Sequence, residues 1–391
     1  MKRDRNHIDL LILIAVLTLM VLSLGVVYSA SSSWALEKFG ESGRLLGSHA
    51  TKVLLGFLAI FAVMHVDYTV YKKITKPAIL ISLVLLAVTL GLGGEVKGAT
   101  RWLRFGGFGL QPSEFAKLAL MFHLSVLLAD KQDRIKDLKN GFLPAMIWIG
   151  AVTALVLLQP NFSSGVMIFV LGLVMLFVGR ARWTHVFLTI GALVPLLLVY
   201  MLSAEYRMHR IMNFLGRGGE GGSKGNYQLM QGIIGFGNGG LFGLGPGASR
   251  QRDLFLPESY GDFVFSIVGE EYGLIGTLFI MLLFMTIMLR GMKIAKHAPD
   301  DFGRYLAVAI VASITLYAVI NAGVTLGILP TTGLPMPFVS YGGSSMLFSS
   351  IAIGVLLNIS SHTDLHPRVA RGASGALSAA QVQQPAVGKV F

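Results

Sequence analysis

Residues 227–276 read YQLMQGIIGFGNGGLFGLGPGASRQRDLFLPESYGDFVFSIVGEEYGLIG, and the character of this stretch changes at Asp262. Before Asp262 the stretch is too rich in glycine and charge to cross a bilayer, whereas the apolar run after it predicts a long membrane helix. The carboxylate therefore lies at a membrane boundary, beside basic residues and a glycine-rich segment. Such a place suits chemistry on a lipid-linked substrate.

The composition is that of an integral membrane protein. Of the 391 residues, 54% are hydrophobic and only 13% are charged, against about 25% charged residues in soluble domains. The absence of cysteine excludes disulfides, thiol nucleophiles and cysteine metal ligands. The formal net charge of +12 would suit nucleic acid in a soluble protein, but basic loops that set membrane topology explain it better. We therefore expect no nucleic acid partner.

The hydropathy pattern predicts an all-α polytopic membrane protein with about ten transmembrane helices. The first helix follows the basic cluster MKRDRNHID, but its apolar run is too long for a signal peptide and lacks a clear cleavage site, so we expect a retained anchor. The predicted spans lie near residues 10–30, 46–66, 74–93, 113–129, 142–159, 162–179, 184–202, 263–289, 304–327 and 339–360.

Lysine and arginine in the short loops predict the orientation. They concentrate on the side that carries both termini, which predicts cytoplasmic termini and an even number of spans. Residues 203–262 then form a large extracytoplasmic loop between the seventh and eighth helices. We expect a single transmembrane domain over residues 1–360, and a disordered cytoplasmic tail over residues 361–391 because Ala, Gly, Ser and Gln dominate there.

The segment GATRWLRFGGFGLQPSEFAKLAL at residues 98–120 holds charges near the start of a span. Glu114 and Lys117 are three residues apart, which places them on one helical face, where an unpaired charge is costly. One interpretation is a local ion pair with Arg101 and Arg104 as interfacial anchors. The other is a cationic site for a pyrophosphate, for which Arg101 is favoured because no neighbour needs its charge.

The long loop begins with a stretch that contains arginines and continues with a glycine-rich stretch, and the two stretches favour different structures. The sequence EYRMHRIMNFLGR mixes arginines such as Arg210 with apolar residues, which predicts an amphipathic helix in the headgroup plane. Gly235, Gly237 and Gly240 match G-x-G-x-x-G, but we reject dinucleotide binding because no βαβ unit surrounds them. The glycines instead favour a mobile segment or close approach of the backbone to a substrate.

Asp262 has two competing interpretations. As a helix N-cap it would accept hydrogen bonds from backbone N–H groups and would be a poor base. As a partly desolvated carboxylate, with Glu258 nearby in sequence, it would gain basicity and take a proton from a sugar hydroxyl. Deeper in the span, Glu270 and Glu271 indicate either a buried pair with Arg or Lys, or a functional cavity.

Two further segments interrupt helices on the predicted outer side. LLQPNFSSG at residues 157–165 is typical of a tight turn between two spans. GILPTTGLPMPFVSYGGSSML at residues 327–347 contains prolines that cannot continue a helix, yet it is apolar enough to lie at membrane depth against protein. Ser340 and Tyr341 then open the last span. A structural re-entrant hairpin is favoured over direct catalysis here, because none of these groups titrates near neutrality.

Together these motifs resemble the SEDS (shape, elongation, division and sporulation) family over about residues 10–360. The segments that carry the resemblance, in matching order and spacing, are GATRWLRFGGFGLQPSEFAK, QPNFSSG, GFGNGGLFGLGPGASRQRDLFLPESYGDFVFSIVGEEYGLIG and LPTTGLPMPFVSYGGSS. The GEE run at residues 269–271 and the PFVSYGGSS segment favour the cell-division (FtsW-like) branch over the elongation (RodA-like) branch.

The resemblance implies a peptidoglycan glycosyltransferase of the cytoplasmic (inner) membrane, at the division septum, that polymerises lipid II on the outer face. Its implied partners are a class B penicillin-binding protein, other divisome proteins and membrane lipid. The family's essential acid falls on Asp262, but Gly261 and Asn161 stand where relatives often carry Thr and Asp. The residues predicted to bind substrate are Arg101, Lys117, Glu114, Arg210, Glu258, Ser340 and Tyr341.

The mechanism implied by the resemblance is inverting transfer. Asp262 deprotonates the 4-hydroxyl of the acceptor's N-acetylglucosamine, that oxygen attacks the anomeric carbon of the donor's N-acetylmuramic acid, and undecaprenyl pyrophosphate leaves. Arg101, Lys117 and Arg210 would offset its charge, with or without a divalent cation, Mg2+ or Mn2+. A lipid II flippase and a non-catalytic scaffold for the penicillin-binding protein are the alternatives. The polar residues concentrate in the outer half, which favours the enzyme over the flippase.

Overall fold

The computed structural model is a bundle of membrane-length helices. The amphipathic stretch around Arg210, the side chain of Glu258 and most of the predicted tail lie outside the described residues. The structure describes residues 6–92, 94–96, 99–105, 108–132, 134–203, 208, 212, 214, 224–251, 256 and 259–365.

The helices follow the predicted spans closely. A short π-helical turn, Leu138–Phe142, leads into the fifth. The α-helices of the described residues are α1 Leu10–Phe39, α2 Arg44–Met64, α3 Thr69–Leu92, α4 Pro112–Asp130, α5 Leu143–Leu158, α6 Phe162–Val178, α7 Trp183–Leu202, α8 Lys224–Gly239, α9 Val264–Lys296, α10 Asp301–Thr325 and α11 Gly343–Ser361.

The prediction of an all-α polytopic membrane protein is confirmed. Within the described residues, nine helices are long and apolar enough to cross a membrane. The one remaining predicted span, the sixth at residues 162–179, is α6, which has 17 residues and is therefore about 25 Å long, a little less than the hydrocarbon core. We call the end of the bundle where Asn6 donates to the carbonyl of Thr363 the termini end, and the opposite end, which carries Asp262, the loop end.

A small antiparallel sheet at the loop end is absent from the sequence-based prediction. Its strands are β1 Gly94–Val96, β2 Ala99–Phe105 and β3 Phe108–Leu110, in the order β1-β2-β3. The run ATRWLRF in β2 is rich in aromatic and β-branched residues, which favour strands. These strands place Arg101 at the loop end of the helices.

Close helix contacts bring α2 and α11 together. A Cβ on Gly56 would lie 2.8 Å from Ser350 Oγ, and a Cβ on Gly354 would lie 2.8 Å from Val63 Cβ. Small residues at such contacts let helix backbones approach closely in membranes. This packing sets the start of α11 beside the half of α2 that lies at the loop end. In contrast, α7 lies on the outside of the bundle, and Val186 is its one buried residue.

Part of the predicted outer loop folds back beside a break in α9. Gly273 has φ 64° and ψ −160°, and a Cβ there would lie 2.5 Å from the nitrogen of Gly243, so only glycine fits. The break frees backbone groups that residues 239–245 satisfy. The bonds run from the N–H groups of Leu244, Gly245, Leu274 and Ile275 to the carbonyls of Glu270, Glu271, Gly240 and Leu241, at 2.9, 3.0, 2.9 and 3.2 Å.

Candidate functional site

Asp262 lies at the start of α9 but is not its N-cap. The cap position is Phe263, and no side chain there caps the helix. The carboxylate of Asp262 instead lies against the proline-rich segment, where a Cβ on Gly333 would be 3.5 Å from Asp262 Oδ2. Gly333 has a φ of 71°, a left-handed conformation that suits glycine. The structure therefore does not support the cap interpretation of Asp262.

Asn321 of α10 fixes the backbone on both sides of this contact. Its Nδ2 donates to the carbonyl of Asp262 and to the carbonyl of Leu334, both at 2.8 Å. Asn321 is buried at 1% exposure, so these bonds have no competition from bulk water. One amide therefore sets the position of Asp262 relative to the proline-rich segment.

Lys117 and Glu114 form the ion pair that their spacing predicts. Lys117 Nζ is 2.8 Å from Glu114 Oε2, and both side chains are buried. The same Nζ lies 4.0 Å from the ring centroid of Tyr317. Tyr317 is one turn before Asn321 on α10, so that helix connects the buried cation to the backbone of Asp262.

Arg101 has neighbours that the sequence did not reveal. Its Nε donates to the carbonyl of Gln159 at 3.4 Å, and its Nη2 donates to the carbonyl of Pro160. Contrary to the expectation, Arg101 therefore has neighbouring acceptors to satisfy. These bonds attach β2 to the turn between α5 and α6, which confirms the turn predicted at residues 157–165. The side-chain nitrogen of Asn161 in that turn is buried and has no partner among the described residues.

Ser340 and Tyr341 shape the entry to the last helix. Ser340 Oγ accepts a hydrogen bond from the backbone N–H of Met336 at 2.8 Å, which closes a turn. The N–H of Tyr341 donates to the carbonyl of Tyr260 at 2.9 Å. Both contacts support the structural interpretation of this segment. They also attach it to the residues just before Asp262.

Glu270 accepts hydrogen bonds from neutral donors of the glycine-rich region. The donors are Ser249 Oγ, Asn238 Nδ2 at 3.1 Å and the backbone N–H of Gln251 at 3.1 Å. Its neighbour Glu271 accepts from Ser29 Oγ of α1. The expected Arg or Lys partner of Glu270 is therefore replaced, among the described residues, by hydroxyl and amide groups. These bonds hold residues 238–251 against α9.

The site contains several residues that the sequence-based prediction did not include. Lys52 of α2 lies over the ring of Tyr341 at 3.6 Å, and the signal for it was a basic residue inside a predicted span. Asn321 was likewise a polar residue within a span, whereas nothing in the sequence distinguishes Tyr317 from a packing residue. The described residues include no group of three or more His, Asp or Glu side chains that could hold a metal ion, so we assign no divalent-cation ligands.

Comparisons with known proteins identify the family. A family model described as "Cell cycle protein", which takes its label from FtsW, RodA and SpoVE, matches residues 9–365. A probable peptidoglycan glycosyltransferase FtsW of Geobacter metallireducens is 38% identical over 92% of this chain and 96% of the relative. The stage V sporulation protein E of Bacillus subtilis is 39% identical over 93% of this chain and 100% of the relative.

Solved structures share the fold. A chain from a peptidoglycan synthase complex that coordinates polymerization and crosslinking superposes with a TM-score of 0.75 at 25% identity, over 90% of this chain and 97% of that chain. The rod shape determining protein RodA of Thermus thermophilus gives a TM-score of 0.67 at 24% identity, over 90% and 96% of the two chains. The chain therefore belongs to the SEDS family of cell cycle proteins that includes FtsW, RodA and SpoVE.

Proposed function

We propose that this protein is a peptidoglycan glycosyltransferase that polymerises lipid II during cell division. Relatives that align over more than nine-tenths of the chain are named as probable peptidoglycan glycosyltransferases. The observation that carries the proposal is the position of Asp262. Its carboxylate faces the proline-rich segment instead of capping α9, and Asn321 fixes its backbone.

Asp262 is the general base in this proposal. Its carboxylate removes the proton from the 4-hydroxyl of the acceptor's N-acetylglucosamine as that oxygen bonds to the anomeric carbon of the donor's N-acetylmuramic acid. The bond from that carbon to the pyrophosphate breaks on the opposite face, so the anomeric configuration inverts and undecaprenyl pyrophosphate leaves. A positioned base of this kind contributes about 10²–10⁴-fold to the rate.

Lys117 is the favoured cation for the leaving pyrophosphate. Tyr317 and Asn321 connect it to Asp262 through one helix, and Glu114 orients its ammonium group. Arg101 has a second task, because its guanidinium also holds the turn between α5 and α6. Arg210 and Glu258 are proposed substrate contacts from the sequence alone, while Ser340 and Tyr341 shape the floor of the site.

The partner and the location belong to the same proposal. A similar chain functions in a complex that coordinates polymerization with crosslinking, which supports a class B penicillin-binding protein as the partner. We propose that the termini are cytoplasmic, that the loop end faces outward, and that the protein acts at the division septum. Lipid II enters from the outer leaflet, where the loop end lies in this orientation.

The decisive experiment measures lipid II polymerisation by the purified protein with its penicillin-binding partner, with moenomycin present to silence sensitive glycosyltransferases. We expect glycan strands from the wild type and at least about a 10²-fold loss in Asp262→Asn. The matched control is Asp301→Asn, an exposed aspartate at the start of α10 whose pair with Arg304 is 3.5 Å long.

Each result has a distinct meaning. Full activity of Asp262→Asn would remove the base assignment and keep the enzyme. Strands from neither the wild type nor the Asp301→Asn control would contradict the proposed activity and favour the flippase or the scaffold. Loss in both aspartate variants would indicate a general defect instead of a catalytic one.

A further inference from the structure

Lys52 is a cation inside a membrane-spanning helix that has no carboxylate partner among the described residues. It lies eight residues after the start of α2, which is about 12 Å along the helix. Its Nζ is 3.6 Å from the ring centroid of Tyr341, and the described ion pairs do not include it. Intramembrane lysines are costly and usually serve a function.

The ring beneath Lys52 is held from three sides. The hydroxyl group of Tyr341 is 3.1 Å from Ser48 Oγ, one turn before Lys52 on the same face of α2. Its backbone N–H donates to Tyr260, whose ring packs edge-on against it with centroids 5.6 Å apart. The ring stabilises the ammonium charge through its π-face without neutralising it. Lys52 therefore keeps N–H donors and a full charge for an anion.

A second polar group on α2 lacks a partner beside this cation. His49 is fully buried, and its ring centroid is 5.7 Å from that of Tyr341. Its Nε2 bonds Ser23 Oγ at 2.9 Å, but its Nδ1 has no partner among the described residues. A buried polar atom without a partner is uncommon in native structures. Its position three residues from Lys52 is consistent with a site built for a polar ligand.

Lys52 and Lys117 approach Asp262 through different elements. Lys52 reaches it through Tyr341 and Tyr260, which is two residues before Asp262. Lys117 reaches it through Tyr317 and Asn321 of α10. Glycosyl transfer between two lipid-linked molecules brings two pyrophosphate groups into one site. The donor's pyrophosphate leaves the reacting carbon, and the acceptor's pyrophosphate stays one sugar away from the reacting hydroxyl. Two separate cations suit two such groups.

We propose that Lys52 binds the pyrophosphate of one of the two lipid-linked substrates, at a site separate from that of Lys117. This inference rests on the proposed function for the identity of the ligand. The positively charged ammonium group donates to the phosphate oxygens while the ring of Tyr341 remains packed against it.

The test counts bound lipid molecules by native mass spectrometry in an Asp262→Asn background, where lipid II is not consumed. We expect the parent to bind two lipid II molecules. In Lys52→Met the affinity for the second lipid II molecule should be about tenfold weaker or more, because methionine has a side chain of similar length but no charge. Lys52→Arg should retain two, since guanidinium also binds phosphate and stacks on rings. Lys38→Met is the matched control, because Lys38 lies over Trp34 at 4.7 Å.

Equal binding by Lys52→Met and the parent would overturn the proposal. So would a loss of phosphatidylglycerol binding as large as the loss of lipid II, which would assign the site to a lipid headgroup. A loss of the second molecule in Lys52→Arg would overturn the charge argument, and it provides a second test if Lys52→Met misfolds. Because lipid II binding is measured without turnover, a result that contradicts the Lys52 site is distinct from a loss of polymerisation by the wild type.

Discussion

The charged side chains at the termini end and at the loop end of the bundle have different kinds of partners. At the termini end, the carboxylate of Asp9 is buried and receives Arg290 Nη2 at 2.7 Å and Nε at 2.9 Å. Tyr68 there donates to Asp300 Oδ2 at 2.6 Å. The amide of Asn358 accepts from the N–H of Tyr68 at 2.8 Å and so ties α11 to the turn before α3.

At the loop end, the cations contact rings and carbonyls. Among the described residues, Lys52 lies over the ring of Tyr341, while Arg101 donates to backbone carbonyls. Lys117 is the exception, because it has Glu114 beside it. A contact with a ring leaves the positive charge of Lys52 in place, and such a charge attracts anions.

The difference indicates that the two ends have different tasks. A carboxylate and a cation on different helices, such as Asp9 and Arg290, hold those helices together. Cations whose charge persists cost stability in a membrane but prepare a place for pyrophosphate. Substitutions at the termini end should therefore change stability, and substitutions at the loop end should change activity.

The largest expected effect is at the termini end. Arg290→Met leaves the buried Asp9 carboxylate without its described cation, and breaking a buried pair in this way costs about 3–5 kcal/mol. Thermal unfolding in detergent should show the loss, with polymerisation per folded molecule unchanged. The double variant Asp9→Asn with Arg290→Met should recover part of the stability, because no isolated charge remains. A drop in activity without a drop in stability would contradict the inference that the termini end serves stability.

Next in size is the loss of activity at the loop end. Lys117→Met should lower polymerisation about 10²–10³-fold, the usual cost of one group that stabilises developing charge. The variant also leaves Glu114 alone in a buried site, which lowers stability. Glu114→Gln combined with Lys117→Met should restore stability but not activity. Recovery of both in the double variant would show that the pair is only structural.

The sequence predicted what depends on near neighbours along the chain. Apolar runs gave the spans to within several residues, and the i, i+3 spacing gave the pair of Glu114 with Lys117. These signals succeed because residues three or four apart must meet on a helix whatever surrounds them. The acid at the start of α9 was visible for the same local reason, as a carboxylate at the edge of an apolar run.

Contacts between distant segments were not predictable. Lys52 meets Tyr341 because Gly56 and Gly354 let α2 and α11 pack closely, and no local pattern encodes that approach. The carbonyls that Arg101 binds belong to a turn about sixty residues away in sequence. The break at Gly273 was hidden because its partner segment, residues 239–245, looked like an outer loop rich in glycine.

A moderate effect on activity is expected at Asn321, where a substitution tests whether this residue positions Asp262 or only packs against its neighbours. Asn321→Ala removes the donor shared by the part-buried carbonyl of Asp262 and the buried carbonyl of Leu334, and one buried acceptor left unpaired costs about 1–3 kcal/mol. We expect kcat to fall about tenfold with little change in KM, because the base is displaced but substrate contacts persist. Thr325→Ala is the control, since its hydroxyl bonds only carbonyls of its own helix. Equal kinetics for the two variants would rule out a positioning role for Asn321.

The smallest effect is expected when alanine replaces one of two glycines that share nearly the same φ angle. Gly40 and Gly333 have φ of 72° and 71°, so an alanine at either costs about 1–2 kcal/mol of backbone strain. A Cβ on Gly40 meets nothing within 4 Å, whereas one on Gly333 lies 3.5 Å from Asp262 Oδ2. Gly333→Ala should therefore lose as much stability as Gly40→Ala by thermal unfolding, and only Gly333→Ala should also lower polymerisation, by several-fold. If both variants lose activity equally, the proline-rich segment does not position the base, and its contact with Asp262 is packing alone.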